Sequence, residues 1–214
     1  MNYVRIGRLK VAKRAMERVA AIESPFGRFS QVLPYLFLTG VDGIREENIR
    51  RYRITCIVNT TVEVDNVHFP NVENFRIALH DRPEENIVKH FDAFADKIEE
   101  VHRKNGIIVV HCFAGCSRSA TVVIAYLMKY KRMTLREAFY FVRDKRSIIR
   151  PNCGFFEQLI AYEKRLFGKT TVKMVLLKGL DGFEIWIPDV YADDHKGFFL
   201  FTAFSKHERN GKSK

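Results

Sequence analysis

No window of the 214 residues reaches the roughly 18 consecutive apolar residues of a membrane-spanning helix. The densest late run, 198–204, is interrupted by Thr202. Stable membrane insertion is therefore not expected. Cysteine is scarce: Cys56, Cys112, Cys116 and Cys153 are the only four, and none forms a C-x-x-C pair. That is too few for a disulfide scaffold and the wrong spacing for a zinc site. The N-terminus lacks the continuous apolar core and small-residue cleavage site of a secretory signal. Free thiols then point to a reducing compartment, with a cytoplasmic location expected, extending to the nucleus. Repeats and low-complexity tracts are absent, which excludes solenoids. Acidic residues are in the minority, 25 against 36 Lys and Arg, for a net charge of +11. An anionic partner or substrate follows, of a kind that charge alone does not name.

What is present suits one globular domain with additions at both ends. The chain is 47% hydrophobic and 29% charged, enough apolar content to build a core. Residues 1–27 form a basic, expectedly helical arm, with Val11, Ala12, Ala15, Met16, Val19 and Ile22 near one face. Packing on the domain is its simplest role. Mitochondrial targeting is a minor alternative, weakened by Glu17 and Glu23. Residues 28–168 form the compact domain, 169–191 a hairpin extension, and 192–214 a frayed basic tail.

Within the domain, strands are expected over 35–39, 54–59 and 74–79, with a helix over 42–51. Over 84–104, Ile87, Phe91, Phe94, Ile98 and Val101 recur at four, three, four and three, an amphipathic helix. The run GIIVV at 106–110 reads as a buried central strand. Residues 119–129 are apolar nearly all round, a buried helix. Thr134 and Glu137 make a capping box for the next helix, and a last helix spans Cys153–Phe167 after Arg150-Pro151-Asn152. Apolar segments 171–177 and 183–187 flank Gly179-Leu180-Asp181-Gly182, a hairpin signal. The order implies an α/β fold with a central mixed, mostly parallel sheet flanked by helices.

The central strand runs into His111-Cys112-Phe113-Ala114-Gly115-Cys116-Ser117-Arg118-Ser119-Ala120. C-x5-R alone is weak. Here it closes a tight loop between a buried strand and a helix N-terminus, where open α/β sheets bind ligands. Backbone N–H groups around Gly115 can converge as an anion nest, and the helix adds its positive end. Both stabilise a thiolate at Cys112. Arg118 can arch over the mouth and hold two phosphoryl oxygens, and Ser119 can donate to the sulfur. Nucleophile, oxyanion cradle and clamp are thus combined, with Phe113, Ala114, Gly115, Cys116 and Ser117 lining the cradle. His111 is expected to orient the cysteine through loop backbone. Cleaving a phosphate ester also needs a general acid on a loop beside the cradle. Asp81 fits, between a strand and a helix in His80-Asp81-Arg82-Pro83; Glu84 and Glu85 are the alternatives.

HCFAGCSRSA followed by TVVIAYLMKY and LREAFYFVRDKRSIIRPN resembles the cysteine-dependent dual-specificity protein phosphatases over about residues 28–167. FGKTTVKMV through IPDVY is similar to a small subgroup of atypical members that lack an N-terminal kinase-docking domain. The resemblance implies the protein tyrosine phosphatase-like fold, a cysteinyl-phosphate intermediate, no metal and no other cofactor. It also places the family's acid at Asp81, and implies phosphorylated proteins as substrates, MAP-kinase pathway proteins among them. Cys116 departs from the family's usual aliphatic residue; it is a small filler or a redox partner of Cys112. Cys56, Cys153 and Trp186 read as packing residues.

Three other functions fit these residues less well. A phosphoinositide or RNA 5′-phosphate substrate is disfavoured because the loop carries no lysine. A phosphoprotein-binding module without turnover is disfavoured by intact Cys112, Arg118 and Asp81. A nucleic-acid binder is suggested by charge alone, so no nucleic-acid partner is expected. With little chain before the first helix to wall the cradle, the mouth should be shallow enough for phosphotyrosine and phosphothreonine. Arg82, and Lys129, Lys131 and Arg132 if near the mouth, would favour acidic flanking residues.

Overall fold

A computed structural model describes residues 24–179, 182, 184–195 and 199–200. Most of the basic arm and of the C-terminal tail lies outside the described residues. Five strands form the main sheet: β1 Ser30–Leu33, β2 Leu36–Gly40, β3 Cys56–Thr61, β4 Glu73–Leu79 and β5 Ile108–Cys112, in the order β1-β2-β5-β3-β4. Only β1 runs antiparallel to its neighbour; the other pairs are parallel. The helices are α1 Glu46–Arg51, α2 Phe91–Arg103, α3 Arg118–Lys131, α4 Leu135–Lys145 and α5 Cys153–Phe167. The sheet is mixed and mostly parallel with helices on its faces, as the sequence pattern implied. Among the described residues no helix is long and apolar enough to cross a membrane.

The pleat sorts side chains to two cores. Leu36, Leu38, Cys56, Val58, Ile108 and Val110 pack into the larger core with α2 to α5. Their alternates Phe37, Ile57 and Val109 pack with Phe29, Ile44, Ile49 and Ile54 on the other side. Register aligns Phe37 with Val109 and Val109 with Ile57, so both cores are built in layers across three strands. Two residues beyond Val110 lies Cys112, paired with Gly40 at the carboxyl end of the sheet. Helix α3 is buried from Arg118 through Met128, which explains its all-round apolar sequence. The capping box at Thr134 and Glu137 is formed.

Several boundaries differ from the sequence reading, each for a tertiary reason. The helix expected over 42–51 is a 3-10 turn, Val41–Gly43, followed by α1. Arg45 between them is extended, and a Cβ on Gly43 would meet the Thr39 hydroxyl at 2.1 Å. The helix expected over 84–104 begins regularly only at Phe91. Before it, the Gln158 side chain accepts from the Val88 amide and donates to the Glu85 carbonyl, diverting groups a helix would use. The short edge strand β1, paired with β2, carries no strand signal of its own in the sequence.

Past α5 a second sheet is built from β6 Met174–Gly179, β7 Glu184–Pro188 and β8 Phe199–Leu200, in the order β7-β6-β8, with antiparallel pairing. A 3-10 turn, Asp189–His195, follows β7, where the sequence suggested fraying from Ala192. This extension is clasped by polar contacts. Fully buried Glu163 accepts from the Leu135 amide at 2.8 Å, and from the Thr171 amide and hydroxyl at 2.7 Å each. Arg136 pairs with Asp189 at 2.7 Å and donates to the Thr171 carbonyl. Those bonds hold Thr171 out of the strand expected from residue 171. Trp186 packs against the main core.

Glu163→Ala leaves the buried Leu135 donor and the half-buried Thr171 donors without an acceptor. We expect a loss of about 2–4 kcal/mol in unfolding free energy, read from urea melts. A loss below about 0.5 kcal/mol would show that the clasp contributes little.

Candidate active site

Between β5 and α3 the chain makes a loop from Cys112 to Arg118 in which the carbonyl oxygens of residues 113–117 each accept from a group outside it. Phe113 O accepts from the Val41 amide at 2.9 Å. Gly115 O and Ala114 O accept from Arg146 Nε and Nη2 at 2.8 and 3.0 Å. Cys116 O accepts from the Arg150 amide at 2.8 Å, and Ser117 O from the Thr121 amide and hydroxyl. In a trans peptide the C=O and the following N–H point opposite ways. Carbonyls fixed outward therefore turn the loop amides inward, which creates the nest. Gly115 is at φ +70°, and its amide donates to Cys112 Sγ at 3.1 Å. A Cβ there would meet the Thr39 backbone at 2.5 Å, so the loop can lie on β2 only with glycine.

Cys112 is buried at the strand end, and its sulfur also accepts from the Ser119 hydroxyl at 3.1 Å. Two donors thus face the sulfur at the positive end of α3. Arg118 is buried rather than arched across an open mouth. Its Nη1 donates to Glu63 Oε2 at 2.6 Å and to the Leu79 carbonyl at 2.9 Å. Its Nε, also buried, has no hydrogen-bond partner and lies 3.8 Å from Asp81 Oδ2. Burial works against the Glu63 carboxylate, but the hydrogen bond and charge of Arg118 outweigh it and hold the carboxyl below its ordinary range.

Asp81 meets the loop through Oδ1, which accepts from the Ser117 hydroxyl at 2.7 Å and from Asn152 Nδ2 at 2.9 Å. Its side chain is 35% exposed. Glu85, an alternative acid, accepts the His80 amide at 3.2 Å and so braces the turn that carries Asp81. Glu84 is exposed and Asp81 is the carboxylate seated on the loop. Gly154 lets that turn approach α5, because a Cβ would reach the Pro83 carbonyl at 2.1 Å.

His111 Nδ1 lies 3.3 Å from the Cys112 carbonyl, and the His111 carbonyl accepts from Thr60. Burial, aided by the charges of Arg118 and Arg76, pushes its pKa down to about 4, so the ring is neutral at ordinary pH. Burial pushes the Cys116 thiol up to about 11 and the Cys56 thiol to about 12. Neither is a thiolate at neutral pH, which fits filler roles. Cys116 Sγ turns to the Ala114 carbonyl at 3.5 Å. Phe113 is exposed at the rim. Among the described residues no group of three or more His, Cys, Asp or Glu side chains is placed to hold a metal ion.

The sequence reading missed Glu63, Arg146 and Asn152. Glu63 follows β3 at the same sheet edge as the loop, a usable signal. Its loop is tied by Asn59, which donates to the Val64 carbonyl, and by Arg76, which holds Asp65 and the Val62 carbonyl. Arg146 and Asn152 lie in the quoted stretch but 34 and 40 residues past Cys112, with no spacing rule to connect them. The basic group Lys129, Lys131 and Arg132 does not line the mouth. It sits at the far end of α3, roughly 16 Å along the axis from Arg118, where Lys129 pairs with Asp92 and Asp96.

Residues 36–165 match the family model described as dual specificity phosphatase, catalytic domain. Human dual specificity protein phosphatase 14 is 44% identical over 176 residues, covering 81% of this chain and 86% of that protein. Human dual specificity protein phosphatase 21 is 41% identical, covering 78% and 85%. The crystal structure of human DUSP28 aligns with a TM-score of 0.63 at 32% identity, covering 68% of this chain and 97% of that one.

Two predictions follow from this geometry. Arg146→Lys leaves one point donor where a planar fork serves two loop carbonyls. Competitive inhibition by inorganic phosphate should weaken by about tenfold, and an unchanged inhibition constant would separate the nest from Arg146. The second concerns acid. His111 stays neutral in the fold down to about pH 4, while the unfolded chain takes up that proton near pH 6.5. Stability from this site is whole above pH 6.5 and falls as pH drops toward 4. The loss should be about 2 kcal/mol by pH 5. Urea melts at pH 7.5 and 5 should show that His111→Asn loses less by this amount; equal losses in both proteins would refute the assignment.

Proposed function

The chain belongs to the dual-specificity phosphatases, and we propose that it hydrolyses its phosphoprotein substrates through Cys112, Arg118, Asp81 and Ser119. It is a protein phosphatase acting on phosphotyrosine and on phosphoserine or phosphothreonine. The observation that carries the assignment of roles is the sulfur of Cys112, held by two donors at the floor of a loop whose amides face inward.

Cys112 attacks phosphorus as the thiolate, forming the S–P bond as the ester P–O bond breaks. The substrate's equatorial oxygens take the inward amides of residues 114–118 and the free Nε of Arg118. Glu63 and the Leu79 carbonyl occupy Nη1 and so fix the plane of the guanidinium. Asp81 gives its proton to the leaving oxygen. Both donors on Asp81 fall on Oδ1, which leaves Oδ2 for that proton. In the second step Asp81, now a carboxylate, takes a proton from water as the water oxygen attacks phosphorus. The S–P bond breaks, and the Ser119 hydroxyl stabilises the departing thiolate. No step calls on a cofactor.

The loop side chains Phe113, Ala114, Gly115, Cys116 and Ser117 are uncharged, which supports a single phosphoryl group on a protein over a polyanionic headgroup. We extend the reading to MAP-kinase pathway proteins as substrates, since a site open to both phosphotyrosine and phosphothreonine suits a doubly phosphorylated segment. The free thiols of Cys56, Cys112, Cys116 and Cys153 support a reducing location in cytoplasm or nucleus.

Cys112→Ser should abolish turnover of an aryl phosphate, because a hydroxyl is far less ionised than a thiol. Asp81→Ala should lower kcat by about 10²–10⁴ with phosphate binding kept, and should flatten the basic limb of the pH–rate profile. Activity of the serine variant within tenfold of the parent would refute the covalent route. A normal basic limb in Asp81→Ala would move the acid elsewhere.

A further inference from the structure

We propose that Tyr191, in the C-terminal extension, is a positioning residue for Asp81, acting through Pro151 and Asn152. This rests on the reading of Asp81 as the proton donor. The buried Tyr191 hydroxyl donates to the Pro151 carbonyl at 2.8 Å. The N–H on the other side of that same peptide plane belongs to Asn152, and it donates to the Ser117 hydroxyl oxygen at 3.2 Å. Ser117 has one proton to give. With its oxygen already accepting, that proton goes to Asp81 Oδ1 at 2.7 Å. A peptide plane is rigid, so pinning its carbonyl sets the direction of its N–H. Pro151 contributes no N–H of its own to hold the segment.

Asn152 is fixed from two further directions. It caps α5, its Oδ1 accepting the Phe155 amide at 2.9 Å, and the same side-chain amide donates to Asp81 Oδ1 at 2.9 Å. One rotamer serves both bonds only while the backbone at 151–152 keeps its orientation. On the N-terminal side, the Arg150 amide holds the Cys116 carbonyl, and its guanidinium lies over the Tyr191 ring at 4.5 Å. Three residues, Arg150, Pro151 and Asn152, thus brace both the phosphate loop and the acid, and Tyr191 is what holds them from behind. The ring itself is set by edge contacts with Phe139 and Phe156 at 5.7 and 5.1 Å. The 3-10 turn that carries it is anchored by Arg136 on Asp189 and by the Asp189 amide on the Lys173 carbonyl.

The test uses the full chain and kcat/KM, which reports the steps through cysteinyl-phosphate formation. Two substrates are compared, 4-nitrophenyl phosphate with a good leaving group and phenyl phosphate with a poor one. A general acid matters most for the poor one. Tyr191→Phe keeps the ring and removes the hydroxyl. We expect kcat/KM on phenyl phosphate to fall about three- to tenfold, the worth of one hydrogen bond, with little change on 4-nitrophenyl phosphate. Inhibition by inorganic phosphate should be unchanged. In the Asp81→Ala background the same substitution should cost nothing further, since its route is already cut. Leu177→Ala, which opens a packing defect in β6 away from that turn, where Leu177 is buried and pairs with Ile185, should lower the melting temperature without a leaving-group effect. Equal losses on both substrates, losses that add to those of Asp81→Ala, or a matching leaving-group effect from Leu177→Ala would each overturn the relay. If Asp81→Ala itself shows no leaving-group dependence, the acid reading fails and the relay with it. If Asp81→Ala shows it and Tyr191→Phe does not, only the relay fails.

Discussion

Everything at this site depends on five carbonyl oxygens pointing the wrong way for solvent. A loop that closes on an anion must face its N–H groups inward, and each peptide plane then forces a carbonyl outward into protein. An outward carbonyl buried without a donor would cost more than one hydrogen bond is worth. The fold answers with Val41, Arg146, Arg150 and Thr121. The buried guanidinium of Arg146 serves two of these oxygens, and also the carbonyls of Phe26 and Arg28 before β1. The chain preceding the sheet is thereby tied to the back of the phosphate loop. The glycines follow from the same constraint, since β2 and the loop pass too closely for a side chain at Gly40 or Gly115.

The sheet supplies position, and its edge supplies convergence. Parallel pairing brings the carboxyl ends of β2, β3 and β5 to one side, with Gly40 beside Cys112 and Asn59 beside His111. The loop leaving β3 carries Glu63 to Arg118 at the end of the nucleophile's loop, and the turn after β4 delivers Asp81. Helix α5 closes the circle, because its cap residue Asn152 touches the acid and its first turn admits the acid's loop at Gly154. The acid is therefore held by an element that begins 72 residues after it in the chain.

Charge is spent locally. The +11 of the chain reads as a general basic surface, yet several cations have specific partners. Arg118 is held by Glu63, Lys129 by Asp92 and Asp96, and Arg136 by Asp189. Lys131 lies over the rings of Tyr35 and Tyr126, and Arg132 over Phe167. Net charge thus says little about where a substrate is steered, which is why the basic group at the end of α3 proved remote from the mouth.

Local chemistry was legible in the sequence by itself. The loop from Cys112 to Ser119, the apolar periodicity of α2, the all-round burial of α3, the capping box and the bounds of α5 are short-range properties. Each is set by residues within one or two turns of each other. The mixed, mostly parallel sheet followed from the alternation of strands and helices. Tertiary structure alone decided which distant groups complete the site. Glu63 on Arg118, Arg146 on the loop carbonyls, and Asn152 and Ser117 on Asp81 join residues 31 to 71 positions apart. The boundaries at Gly43, Phe91 and Thr171 were decided there too. The reason is the same in each case: a backbone or side-chain hydrogen bond has no preference for a partner near in sequence once packing has brought a better one near in space.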